Sequence, residues 1–144
     1  MLEIHNDIRV YHNAYPLVLK DYMCEMAQQL SEKLILYKMG KSEEPGYPDL
    51  RYGKSITYVV GRELPSAKSI CSSWYDGNRF YDFSKNVYNK QNGGFTQLIW
   101  KASKYVGFGV YWGDNRSIIV ALYYPAGNIK GQYEENVEPS RGSP

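Results

Sequence analysis

The side chains of this 144-residue chain that could most readily do chemistry are two histidines and two cysteines. His5 and His12 lie seven residues apart, about 10 Å along a helix axis, so they cannot bind one metal ion together. A catalytic cysteine needs a histidine or asparagine partner, and the sequence indicates no such pair for Cys24 or Cys71. We therefore predict structural or surface roles for both histidines, with His12 packed near a helix end, and no catalytic residue.

The remaining candidates for proton transfer or anion binding are weaker. Glu63, Asp76 and Asp82 are carboxylates in segments typical of a solvated helix end or loop. The glycines around Phe108 lie within a strand pattern rather than before a helix, so they do not predict a phosphate-binding loop. No enzyme site follows from these residues.

Cysteine usage bears on the compartment. Two cysteines form at most one disulfide, whereas a secreted domain built on a disulfide framework usually carries four or more. Each lies in an apolar helical pattern, so we predict two buried free thiols, with a redox or bridging role as the alternative. Because the first residues also lack a signal-peptide core, we expect an intracellular location. Leu2 stands where N-myristoylation would require glycine.

Composition excludes several classes of protein. Seventeen basic and fifteen acidic residues give a net charge of +2 without a long basic run, so nucleic-acid binding has no support. The longest apolar run, residues 118–124, is too short to span a bilayer. The hydrophobic and charged fractions, 43% and 22%, are ordinary for a globular protein. We predict one domain over residues 1–139 and a tail over 140–144.

Hydrophobic spacing then predicts the elements that position these side chains. The predicted helices cover residues 5–12, 21–38, 65–74 and 95–103. Strands are predicted at 56–60, 105–112 and 117–124, the last two as a hairpin. Residues 41–52, 86–94 and the stretch from 125 onward read as loops. Helices interleaved with few strands favour an α+β fold, in which helices pack on a small, mostly antiparallel sheet.

Two longer motifs carry a family resemblance. The segment GFTQLIWKAS at residues 94–103 resembles the first signature of the CAP superfamily (SCP/TAPS), except that Gly94 replaces its leading histidine. The segment IVALYYPAGN at 119–128 resembles the second signature, with Ala121 where secreted members place a cysteine. The chain is therefore similar to the cysteine-poor branch, represented by Golgi-associated plant-pathogenesis-related and group-2 venom-allergen-like proteins.

The resemblance implies a three-layer α-β-α sandwich whose cleft holds two histidines and two glutamates, sometimes with zinc. Gly94 aligns with one histidine, Gly77 with one glutamate and Lys54 with the other, while no histidine lies between residues 37 and 43. We expect this tetrad to be lost, with no metal site and no cofactor. The vestigial cavity and its rim are predicted to comprise Lys54, Trp74, Gly77, Gly93, Gly94 and Asn128.

Two readings of these replacements stay open at this point. Glycine in place of larger side chains would open the cleft, provided that Arg79 or Tyr88 does not fill it. The substitutions would equally arise by drift at a cleft that is no longer used.

The resemblance implies a non-catalytic binding module for a lipid or sterol, or for a protein partner, with homodimerisation as a further expectation. A lipid ligand predicts an apolar groove between helices, and a protein partner predicts an exposed aromatic patch. One alternative is a peripheral membrane protein that binds anionic lipid through Lys85, Lys90, Lys101 and Lys104. Another is a hydrolase that uses a site other than the tetrad.

Overall fold

The computed structural model describes residues 1–46, 50–85 and 92–141. Its elements follow in chain order: α1 (Leu2–Tyr11), β1 (Val18–Leu19), α2 (Asp21–Lys38), β2 (Gly53–Val60), α3 (Ala67–Tyr75), a 3₁₀ helix (Asp76–Phe80), α4 (Gly93–Leu98), β3 (Tyr105–Gly113), β4 (Arg116–Tyr124) and α5 (Tyr133–Asn136). The sheet has the strand order β1-β3-β4-β2. β4 pairs antiparallel with both β3 and β2, and the two-residue β1 runs parallel to β3. The predicted α+β fold with a mostly antiparallel sheet is confirmed.

The central strand β4 is buried on both faces and thereby joins two helical layers. Alternate residues Ile118, Val120 and Leu122 pack against the apolar side of α2. The intervening residues Ile119, Ala121 and Tyr123 pack on the opposite face, in a cluster that includes residues of α3 and of the α1–β1 loop. Because successive side chains of a strand point to opposite faces, one strand serves both layers. The result is an α-β-α sandwich.

Helix α2 lies unusually close to strand β3. A Cβ atom added at Gly109 would lie 2.2 Å from the backbone nitrogen of Gln28, so only glycine allows this approach. The side chain of Gln28 then accepts a hydrogen bond from the Val110 N–H (2.8 Å), and Cys24 Sγ accepts one from the Phe108 N–H (3.4 Å). Helix α2 therefore caps two backbone donors on the outer edge of β3.

A buried arginine joins α1 to the segment that follows α4. Arg9 is fully buried, and its guanidinium donates hydrogen bonds to the carbonyls of Tyr15 (2.7 Å), Leu98 (3.1 Å), Trp100 (2.9 Å) and Ser103 (3.0 Å). Desolvation lowers the pKa of Arg9 to about 10, so the group is still a cation at neutral pH. Carbonyls at the end of a helix lack intrahelical donors, and a cation stabilises that end.

Several predicted boundaries need correction. Helix α4 ends at Leu98 rather than at residue 103, because Arg9 binds the carbonyls beyond it. It begins at Gly93, so the end of the predicted loop 86–94 is helical, and residues 86–91 lie outside the described residues. Helix α3 starts at Ala67, after Ser66 caps it by accepting the Ser69 N–H (3.1 Å).

Three short elements were not predicted, and one of them is the 3₁₀ helix (Asp76–Phe80). Strand β1 has only two residues, too few for a period to show. Helix α5 lies in the tail that was predicted to be loop. Helix α2 has the predicted bounds, and Gly107 and Gly109 lie in a strand as expected. None of the helices in the described ranges is long and apolar enough to cross a membrane.

We expect Arg9→Met to lower the free energy of unfolding by at least about 3 kcal/mol, because it removes a charged donor from three buried carbonyls and one partly buried carbonyl. Urea denaturation followed by circular dichroism measures this loss. Arg116→Met is the matched control, because Arg116 is half-buried and donates one hydrogen bond, to the Lys38 carbonyl (3.2 Å). The control should lose less than about 1 kcal/mol. Equal losses in the two variants would contradict the proposed role of Arg9.

Candidate functional site

Two of the predicted cavity residues line a polar pocket at one end of the sheet. The pocket has a volume of about 370 Å³, and Lys54 and Asn128 both line it. Gln97 and Gly127 also line this pocket. The Gln97 amide oxygen accepts a hydrogen bond from the Gly127 N–H (2.9 Å), which holds these two parts of the wall together. The Asn128 side chain donates to the Gly93 carbonyl (3.0 Å), which attaches a third predicted residue to this site.

Two other predicted residues meet in the packing between α3 and α4. Trp74 is buried, and its indole N–H donates to the Thr57 hydroxyl (2.8 Å). A Cβ atom at Gly94 would lie 3.3 Å from Trp74 Cβ, tighter than an ordinary van der Waals contact. The space next to Gly94 is thus taken by Trp74, so this glycine allows close helix packing and does not open a cleft.

Two other residues named for the cleft and its surroundings, Gly77 and Arg79, do not line the polar pocket. Gly77 is buried within the 3₁₀ helix, and Arg79 is exposed in an ion pair with Asp76 (3.6 Å). Tyr88 lies outside the described residues. Glu63, Asp76 and Asp82 are exposed, as predicted.

A second pocket is apolar and lies on the sheet face that carries α3. Its volume is about 310 Å³. Nearly all of its lining is apolar, and the residues are Met1, Gln28, Leu64, Pro65, Ala67, Ile70, Phe108, Gly109, Val110 and Ile119. A lipid ligand was expected to require an apolar groove, but the sequence did not indicate which residues would line one, because these residues come from five separate segments. The alternation of Phe108 and Val110 on one face of β3 was the available signal.

A buried polar cluster lies directly behind the apolar pocket. His5 is fully buried, and its Nε2 accepts a hydrogen bond from the Tyr123 hydroxyl (2.7 Å) while Nδ1 donates to the Met1 carbonyl (3.1 Å). Cys71 Sγ lies 3.5 Å from His5 Nδ1 and 3.3 Å from the Met1 sulfur. The expectation that neither cysteine has a histidine partner was wrong, because the fold joins residues 66 positions apart.

Burial sets the charge state of this cluster. Desolvation lowers the pKa of His5 to about 4 and raises the pKa of Cys71 to about 11. Burial also raises the pKa of the Tyr123 hydroxyl. At neutral pH the imidazole, thiol and phenol are therefore all uncharged. A nucleophilic cysteine acts as a thiolate, so this environment opposes cysteine catalysis.

The other titratable side chains of interest have structural contacts. His12 caps the end of α1, as predicted, where its Nδ1 donates to the Glu138 carbonyl (2.6 Å) and the Tyr75 hydroxyl donates to its Nε2 (2.9 Å). Burial lowers the pKa of His12. Both cysteines are free, but Cys24 is half-buried rather than buried. Within the described part of the chain, no three His, Cys, Asp or Glu side chains converge as a metal site.

Comparison with known proteins relates this architecture to a family. Residues 2–124 match the family model described as "CAP: Cysteine-rich secretory protein family". The chain is 31% identical to Golgi-associated plant pathogenesis-related protein 1 of Homo sapiens, covering 98% of this chain and 92% of that protein. It is 28% identical to Protein PRY2 of Saccharomyces cerevisiae, over 96% of this chain and 40% of that protein.

A solved structure shares the fold. Schistosoma mansoni venom allergen-like protein 4 superimposes with a TM-score of 0.72 at 15% sequence identity, covering 97% of this chain and 92% of that one. At this identity the likeness concerns the fold alone.

The His5 cluster predicts that stability falls in mild acid. The pKa of the His5 imidazole is about 4 in the folded protein and 6.5 when unperturbed. Between these two pH values the unfolded chain therefore binds more protons than the folded protein does. We expect a loss of about 2–3 kcal/mol as the pH falls from 6.5 to 4, measured by urea denaturation at each pH. His5→Gln should flatten this slope, leaving a smaller residual from groups such as His12 and Glu138, whose pKa values are also lowered in the folded protein. An unchanged slope in the variant would contradict this assignment.

Proposed function

The chain belongs to the CAP family, and we propose that it is a non-catalytic CAP domain that binds one hydrocarbon chain, such as that of a fatty acid, in the apolar pocket. The observation that carries this proposal is the pocket itself, a concave site on the α3 side of the sheet whose lining is almost wholly apolar. Ligand pockets in proteins are typically concave and mostly apolar, with few polar groups.

The size of the pocket favours a single chain over a sterol. Its volume of about 310 Å³ is near the lower limit of roughly 300–1,000 Å³ for small-molecule sites. A flexible chain adapts to a narrow groove, whereas a fused-ring sterol is rigid and wider. Two exposed cations, Arg62 and Lys68, lie within two residues of lining residues in the sequence and would attract the carboxylate or phosphate of such a ligand.

The same pocket supports binding without catalysis. Gln28 is the most polar side chain in its lining, and none of the lining side chains titrates near neutral pH. The nearby Cys71 and His5 are held uncharged by burial, which opposes nucleophilic attack. We propose that the tetrad is lost, that no metal or cofactor is needed, and that the domain works inside cells.

A protein partner is a second candidate, and one surface favours it. Tyr11, Tyr15 and Tyr22 are 63%, 87% and 51% exposed near the end of α1 and the start of α2. Tyrosine is enriched at protein interfaces. This surface suits a protein partner or a second copy of the chain, and a mass measurement of the native protein detects either.

Pocket-filling variants test the binding proposal. Ala67→Phe should lower dodecanoate affinity at least tenfold, because the added ring occupies apolar space needed by the chain. Ala126→Phe is the matched control, because Ala126 lines the polar pocket instead. Native mass spectrometry of both variants and the parent protein, with dodecanoate or cholesterol, measures bound mass and oligomeric state together.

We expect one dodecanoate per chain in the parent protein and in Ala126→Phe, and much weaker binding of cholesterol. Absence of any dodecanoate adduct in the folded parent protein would overturn the proposal. Loss of binding in Ala126→Phe alone would move the site to the polar pocket. Circular dichroism confirms that each variant is folded before the comparison.

A further inference from the structure

The mouth of the apolar pocket carries an exposed apolar surface formed by Leu64, Val110 and Trp112, which we call the mouth patch. We propose that the mouth patch docks on the surface of a lipid bilayer, so that a hydrocarbon chain passes from the membrane into the pocket. This inference rests on the proposed chain-binding function and adds the partner from which the ligand comes.

The mouth patch is continuous with the pocket. Leu64 and Val110 line the pocket and are also 38% and 36% exposed, so each side chain faces both the ligand space and solvent. Trp112 is 58% exposed and lies two residues after Val110 on β3, which places both side chains on the same face of the sheet. A chain leaving the pocket at this edge therefore meets apolar side chains before water.

The indole of Trp112 is prepared for a membrane interface. Its ring N–H donates a hydrogen bond to the Arg62 carbonyl (2.9 Å). Because this polar atom is bonded within the protein, the exposed ring can move from water into lipid without losing a hydrogen bond. The Gly61 N–H donates to the Asn115 carbonyl (2.7 Å), which ties the loop before α3 to the turn between β3 and β4. The mouth patch is thus preformed. Tryptophan concentrates at membrane–water interfaces for this amphipathic reason.

Charges around the mouth patch agree with a phospholipid surface. Arg62 and Lys68 are exposed on either side of Leu64 in sequence, and Glu63 is the one acidic residue between positions 61 and 69. Exposed cations this close in sequence to Leu64 would attract lipid phosphates when the apolar side chains enter the interface. The basic face predicted from sequence has a weaker charge than expected, because Lys101 is paired with Glu138 (2.8 Å). Lys90 of that face lies outside the described residues.

The physical state of the ligand favours a bilayer over a protein partner at this surface. Long hydrocarbon chains partition strongly into membranes, since each methylene removed from water contributes about 0.8 kcal/mol. A pocket for such chains gains little from an opening that faces only water. An apolar rim in contact with the bilayer lets the chain transfer without exposure.

Tryptophan fluorescence tests this orientation directly. Trp74 is 8% exposed and Trp100 is fully buried, so Trp112 is the tryptophan that lipid can reach. We expect phosphatidylcholine–phosphatidylserine vesicles with brominated acyl chains to quench the emission of the full chain. Trp112→Phe should bind the same vesicles with this quenching lost. Trp112→Ser should have a vesicle partition coefficient about tenfold lower.

Two controls isolate the mouth patch. Tyr15→Ser changes an aromatic residue elsewhere that is even more exposed than Trp112. The Lys85→Glu, Lys104→Glu double variant changes the other candidate face. Both variants should bind vesicles like the parent protein. Three outcomes would overturn the inference. The parent protein binds no vesicles, or it binds them without quenching. Alternatively, binding is lost in the lysine variant and kept in Trp112→Ser. Dodecanoate binding in the absence of vesicles separates these failures from a failure of the proposed function.

Discussion

The burial of one guanidinium group is the constraint on which one side of this molecule depends. Arg9 reaches from α1 to carbonyls of a segment nearly a hundred positions later. Taking a cation out of water is costly, and hydrogen bonds to several carbonyls repay this cost only if every acceptor is in place. The position of α1, the end of α4 and the turn that follows it must therefore form together. His5 lies on the same helix, one turn before Arg9, and its contact with Tyr123 joins the helix to the central strand.

A close helix–strand contact plays the corresponding role on the opposite face. Gly107 and Gly109 let α2 approach β3 until its backbone nearly touches the strand, and two side chains of α2 cap the strand edge. This arrangement leaves the other face of β3 to α1 and α3. Because α3 begins only at Ala67, these helices leave part of that face open around Phe108 and Val110. The apolar pocket is the space between a fixed strand and the start of a helix.

The sequence predicted those helices and strands whose bounds depend mainly on residues close together in the chain. Helix α2 and the β3–β4 hairpin have strong periods, and their bounds agree with the structure within a few residues. The end of α4 could not be predicted because the apolar period continues past Leu98, and only the distant Arg9 decides where the helix stops. The proximity of His5 and Cys71 likewise depends on how two helices pack against one sheet face. The two-residue β1 exists only through its pairing with β3.

The cavity positions implied by the family resemblance are not those of the apolar pocket that we propose for chain binding. These cavity positions divide between the polar pocket, which Lys54 and Asn128 line, and the close packing of Gly94 on Trp74. None of the six predicted cavity residues lines the apolar pocket. Whether position 94 holds a histidine or a glycine therefore does not change the lining that a hydrocarbon chain would contact. The binding that we propose at the apolar pocket is physically independent of the tetrad positions, so it does not require acidic or imidazole groups at those positions.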